Sequence, residues 1–114
     1  MTESKIQSDF HIWLWNNYPE THGAAYHIPN GGSRGKVEAF KFKSMGVVAG
    51  VPDYHIAIPR GEYASLYIEF KSPGMTARIG QLKVHETLIG FKNMVVVCDT
   101  LEDAKKMFLQ YYAL

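Results

Sequence analysis

The chain has 114 residues, 46% of them hydrophobic and 20% charged, with a formal net charge of +1. That length sustains one compact core, so a single domain over 1–114 is expected, with the composition of a soluble globular protein. No apolar run approaches the roughly 18 residues of a membrane span, the first residues lack a signal-peptide pattern, and one cysteine excludes an internal disulfide framework and fits a reducing cytoplasm.

Residues 2–18 are predicted to form a helix: Thr2 can cap it, Pro19 stops it, and Ile6, Phe10, Trp13 and Leu14 share one side. Helical rotation places Glu3 within about 20° of Phe10 and Leu14. A carboxylate there needs a partner or a cation, unless the first turn frays into solvent, where an acid favours the helix dipole. The sequence leaves both open. Trp15 points to a different side from Trp13, toward either a subunit interface or partial cover by another helix.

Residues 24–29 read as a strand, ended by the turn Pro29-Asn30-Gly31-Gly32. A short helix over 36–45, closed by Gly46, lies in a basic stretch where Arg34, Lys36, Lys41 and Lys43 face only Glu38. Strands over 53–58 and 66–71 form a hairpin through Pro59-Arg60-Gly61-Glu62. After Ser72-Pro73-Gly74 comes a helix over 76–89, mixing Leu82, Val84, Leu88 and Ile89 with Gln81, Lys83, His85 and Glu86. Residues 94–98 read as a fully buried strand, apolar on both faces, with Cys98 a structural thiol. Thr100 opens a last helix through residue 111, with Ala104, Met107, Phe108 and Tyr111 as its apolar stripe. This order calls for an α/β fold, a mixed β-sheet flanked by helices.

Side chains alternate across a strand. Over 66–71, Leu66, Ile68 and Phe70 face one way while Tyr67, Glu69 and Lys71 face the other. Over 53–58, Tyr54, Ile56 and Ile58 form the buried set, which leaves Asp53 and His55 opposite. Pairing the two strands brings Asp53, Glu69 and Lys71 onto one patch. Two carboxylates suit a Mg²⁺ or Mn²⁺ ion, and the main-chain carbonyl of Phe70 can add a third oxygen. Such an ion lowers the pKa of a bound water, and Lys71 can position that water or stabilise developing negative charge. Taken alone Glu-x-Lys is a weak signal, present by chance in roughly a third of chains this long. An ordinary surface Glu–Lys pair, with Asp53 in a turn, is the competing reading.

The strings Gly46-Val47-Val48-Ala49-Gly50-Val51-Pro52-Asp53 and Ile68-Glu69-Phe70-Lys71-Ser72-Pro73-Gly74, followed by Gln81, resemble the VRR-NUC domain of the PD-(D/E)XK nuclease superfamily. Glu3 with Ile6-Gln7, and Ile28-Pro29-Asn30-Gly31-Gly32, extend the resemblance over nearly the whole chain. It implies a restriction-endonuclease-like core, with Asp53 and Glu69 as metal ligands and Lys71 as catalytic lysine. Glu3 would contact the metal directly or through water, and Gln81 would orient active-site groups or substrate. The family more often shows Ser/Thr-Pro-Glu directly before that glutamine. Here Thr76-Ala77-Arg78-Ile79-Gly80 stands there, and Gly80 weakens the helix by up to about 1 kcal/mol relative to alanine.

For DNA contacts the candidates are Asn30, Gly31, Arg34, Lys36 and Lys41 on the basic turn and helix, and His55 on the strand. For His55 the competing reading is an ordinary half-buried strand histidine. No histidine spacing suggests zinc. The resemblance implies a Mg²⁺- or Mn²⁺-dependent DNA endonuclease similar to Holliday-junction resolvases, a homodimer acting on branched DNA in a bacterial or phage-infected cell. A flap or nicking nuclease, and a non-catalytic DNA-binding module, are the alternatives.

Overall fold

The Thr2 hydroxyl accepts a hydrogen bond from the Lys5 amide and opens α1 (Glu3–Asn17), whose buried stripe is Ile6, Phe10 and Leu14 at intervals of four. Trp15 stacks on the ring of His22 at 3.3 Å, just past the 3₁₀ turn Pro19–Thr21. The first strand, β1 (Ala25–His27), follows. The computed structural model describes residues 1–29 and 36–114, the side chains of Lys36, Val37 and Ala39 excepted. The contacts expected of Asn30, Gly31, Arg34 and the Lys36 side chain therefore lie outside the described residues.

The short helix α2 (Lys36–Ser44) ends where Gly46 takes φ +98°. That conformation lets the Gly46 amide reach the Lys43 carbonyl and the Val47 amide reach that of Phe42, so two terminal carbonyls are satisfied. Then come β2 (Tyr54–Ile56), β3 (Ser65–Phe70), α3 (Ile79–Gly90), β4 (Asn93–Cys98) and α4 (Leu101–Tyr112). The sheet order is β1-β2-β3-β4. β2 is antiparallel to both neighbours, whereas β3 and β4 run parallel because α3 makes the crossover between them. The fold is a mixed sheet with flanking helices, as the sequence order called for.

One sheet face meets α1 and α4. Tyr54, Ile56, Leu66, Ile68 and Phe70 interlock there with Ile6, Phe10, Leu14, Ala104, Phe108 and Tyr111. Phe10 is the hub, with ring centroids 5.6 Å from Tyr54, 5.8 Å from Phe70 and 6.3 Å from Phe108. Cys98 is buried, and burial foremost pushes its thiol up to about 12, so it stays an uncharged packing group.

Two expectations change. β4 is not fully buried: among the described residues it pairs only with β3, most of its side chains are half-buried, and Val97 is exposed. A strand that is apolar on both faces satisfies the same pattern at an edge as in the centre. Secondly, α3 begins at Ile79, three residues later than expected, with Arg78 as its N-cap and the Arg78 amide donating to Gln81 Oε1. Among the described residues no helix is long and apolar enough to cross a membrane.

Candidate active site

The opposite face of β3 carries Tyr67, Glu69 and Lys71. Glu69 is 1% exposed and Lys71 4%, so both charged groups are taken out of water rather than displayed on a surface. Such burial is expensive unless the charges are paired, solvated by dipoles or used. The register that sets Tyr54 against Ile68 carries Asp53 toward Glu69 at the end of the hairpin. The Phe70 amide donates to Asp53 Oδ2 at 2.8 Å, and the Ile28 amide donates to the Asp53 carbonyl at 2.7 Å. Asp53 is thus fixed between two strands by its own backbone and side chain.

Gly50 explains how the approach to Asp53 is held. Its φ is +92°, and a Cβ there would stand 2.9 Å from the Gly80 carbonyl oxygen and 3.1 Å from Val84 Cγ2. Only glycine lets this loop lie directly on the first turn of α3. That same turn contributes Gln81. Its Oε1 accepts from the Arg78 amide at 2.9 Å, capping the helix, while its Nε2 donates to Glu69 Oε2 at 3.2 Å. One turn further along α3, the buried His85 places Nε2 3.4 Å from Glu69 Oε1. Both carboxyl oxygens of Glu69 therefore face nitrogen-bearing side chains of one helix.

Burial is the main influence that pushes the Glu69 carboxyl up, to about 8. The charge of Asp53 and a hydrogen bond shared with it push the same way, Lys71 opposes, and Glu3 adds the smallest push upward. His85 is moved down, by burial first and by Lys71 second, with Asp53 opposing. A neutral imidazole beside Glu69 adds no positive charge at pH 7. The result is two carboxyl groups set beside one lysine, with the buried Glu69 carboxyl raised.

The whole chain superposes on the structure of a VRR-NUC domain protein with a TM-score of 0.87 and 30% sequence identity, covering 90% of that chain. This chain belongs to the VRR-NUC family. It therefore carries a nuclease-type domain with a restriction-endonuclease-like core. No family model and no curated protein matches the sequence.

In this VRR-NUC domain, four residues singled out in the sequence converge: Asp53, Glu69, Lys71 and Gln81. The Phe70 backbone lies between Glu69 and Lys71 while its ring fills the core. Glu3 is exposed in the first turn of α1 rather than buried, and reaches the site only through its charge on Glu69. The rotation of a helix gives the side on which a residue lies but not whether the sheet extends to that turn. Lys41 is exposed on α2. His55 has both ring nitrogens engaged within the protein, with Tyr26 Oη at 2.7 Å and Ser65 Oγ at 2.9 Å, and its ring lies on Tyr67 at 4.1 Å. That geometry makes it a strut across three strands. The residue the sequence reading passed over is His85. Its signal was its place four positions after Gln81, on the same face of the helix.

Proposed function

We propose that this domain is a Mg²⁺- or Mn²⁺-dependent, structure-selective DNA endonuclease of the Holliday-junction-resolvase kind. The observation that carries the reading is the burial of Glu69 and Lys71 beside Asp53, where burial foremost pushes the Glu69 carboxyl up to about 8. Among the described residues no three His, Cys, Asp or Glu side chains group to hold a metal. Mg²⁺ is commonly bound by one or two carboxylates together with water and substrate phosphate rather than by an all-protein cage.

Asp53 and Glu69, with the Phe70 carbonyl, would hold the ion, and Glu3 would reach it through water. A bound divalent cation supplies charge neutralisation and a water of lowered pKa. Lys71 adds a buried positive charge where negative charge develops on the phosphate being cut. Gln81 and His85 fix the orientation of Glu69. Backbone contacts from Asn30, Gly31, Arg34, Lys36 and Lys41 would place the DNA by shape rather than by sequence. Symmetric cutting of a junction requires two sites, hence a homodimer.

Incubation with four-way junctions, flaps and linear duplex, with Mg²⁺, Mn²⁺ or EDTA, tests this. Paired nicks in junctions, lost in EDTA and in Asp53→Ala, are the expected result. Preference for flaps would replace the resolvase with a flap nuclease. Cutting that persists in EDTA or in Asp53→Ala would remove the mechanism.

A further inference from the structure

A cleft of about 470 Å³ is lined by Met75, Thr76, Ala77, Leu82, Val97 and Asp99, residues that neighbour the candidate active site in strand register and along the chain. Its place follows from the register. Val97 is the partner of Glu69 across the parallel pair β3/β4, so the two project from the same sheet face. Leu82 directly follows Gln81 on α3, and Asp99 follows Cys98, whose carbonyl accepts from the Lys71 amide. The cleft therefore lies outside the carboxyl ends of two parallel strands, where open α/β sheets bind ligands. Its outer wall, the 72–77 loop, is tied to the end of β4 by the Gly74 amide donating to Asp99 Oδ2 at 2.8 Å.

The lining decides what fits. Met75, Leu82 and Val97 are exposed, and they present thioether and aliphatic surface to water. The charged group is Asp99, an anion, which repels a phosphate. An uncharged, partly apolar group is the chemistry that matches, and the volume falls within the roughly 300–1,000 Å³ of small-ligand sites. In a nuclease whose scissile phosphate sits at Asp53, Glu69 and Lys71, the group next to that phosphate is a nucleoside.

We propose that this cleft receives an unstacked nucleobase adjacent to the scissile phosphate, so that the enzyme acts on strands splayed out of the duplex. The inference rests on the nuclease reading and gives its structure selectivity a physical source. A base held in continuous duplex stays stacked, whereas one at a branch point or in a single strand enters at low cost. Leu82, Met75 and Val97 cover the base, and the Asp99 carboxylate accepts from an exocyclic amine.

Single abasic residues placed in turn on either side of the cut in a branched or flapped DNA provide the test, read as kcat/KM with Mg²⁺. Wild-type protein is expected to lose about tenfold at one position, the scale of one base contact. The Met75→Ala/Leu82→Ala variant changes only exposed side chains, so its fold should survive, as thermal melting would verify. It should cut intact DNA about as slowly as wild type cuts the abasic substrate, with less than twofold further loss from the missing base. A 2-aminopurine at that position should change fluorescence on binding to metal-free wild type and not to the variant. DNA that is cut with no abasic penalty anywhere, or with the full penalty retained in the variant, overturns the subsite and leaves the nuclease reading intact. A variant that alters oligomeric state, with base dependence unchanged, would assign the cleft to a second copy of the chain and overturn the proposal. A protein that neither binds nor cuts DNA overturns both.

Discussion

The two faces of one strand, β3, are both buried, for opposite reasons. Leu66, Ile68 and Phe70 enter an aromatic and aliphatic core in which Phe10 touches four other rings. Glu69 and Lys71, on the reverse, enter a layer of charged and hydrogen-bonding groups beneath α3. Removing water from the first set stabilises the fold, and removing it from the second opposes folding. The comparison teaches that α1 and α4 supply stability, which allows the α3 side to hold an acid pair in an unfavourable state. Substitutions on the two faces should therefore separate stability from activity.

The largest expected effect is on the apolar face. Phe10→Ala should cost about 3–5 kcal/mol of stability, measured by denaturant unfolding, because four ring contacts are replaced by a cavity. On the polar face, Lys71→Met should lower cleavage about 10²–10³-fold while leaving the melting temperature close to that of wild type. If Lys71→Met unfolded the protein instead, the division between the faces would be wrong.

A subtler outcome is a change of sign. Between pH 4.5, the ordinary value for a glutamate, and about 8, folded Glu69 keeps a proton that the unfolded chain has lost. The folded state then binds more protons, so the Glu69 contribution to metal-free stability is full below pH 4.5 and declines as pH rises to about 8. His85 and His55 are both shifted down from 6.5, so their own effects end near that pH. Across pH 6.5–8, Glu69→Gln should therefore flatten the decline in melting temperature, and raise stability at pH 8 while abolishing cleavage. The smallest effects fall on two glycines. Gly50→Ala should destabilise by more than about 1 kcal/mol and lower activity, because the loop must leave α3. Gly80→Ala meets nothing within 4 Å and should stabilise α3 by up to about 1 kcal/mol, with unchanged cleavage.

Much of this division was legible in the sequence, because alternation along 66–71 assigns each side chain a face without further information. That Asp53 and Glu69 share a face was legible on the condition that the two strands pair, and the register that sets them side by side is a property of the fold. What the sequence concealed depends on distance between elements. His85 shares a helix face with Gln81, but that this face meets Glu69 depends on how α3 packs against the sheet. Glu3 falls on the packed side by angle, but the helix begins beyond the cover of the sheet. The apolar run of β4 carries no sign of being an edge, so the cleft beside Val97 could not be anticipated.

The central claim, that the buried Glu69 beside Asp53 is built to take a divalent cation, is tested most directly by following its side-chain carboxyl carbon by NMR as a function of pH, with and without Mg²⁺. The expected result is a titration midpoint near 8 in the metal-free protein, moving to lower pH as Mg²⁺ is added. A midpoint near the ordinary glutamate value, or one that Mg²⁺ leaves unmoved, would contradict it.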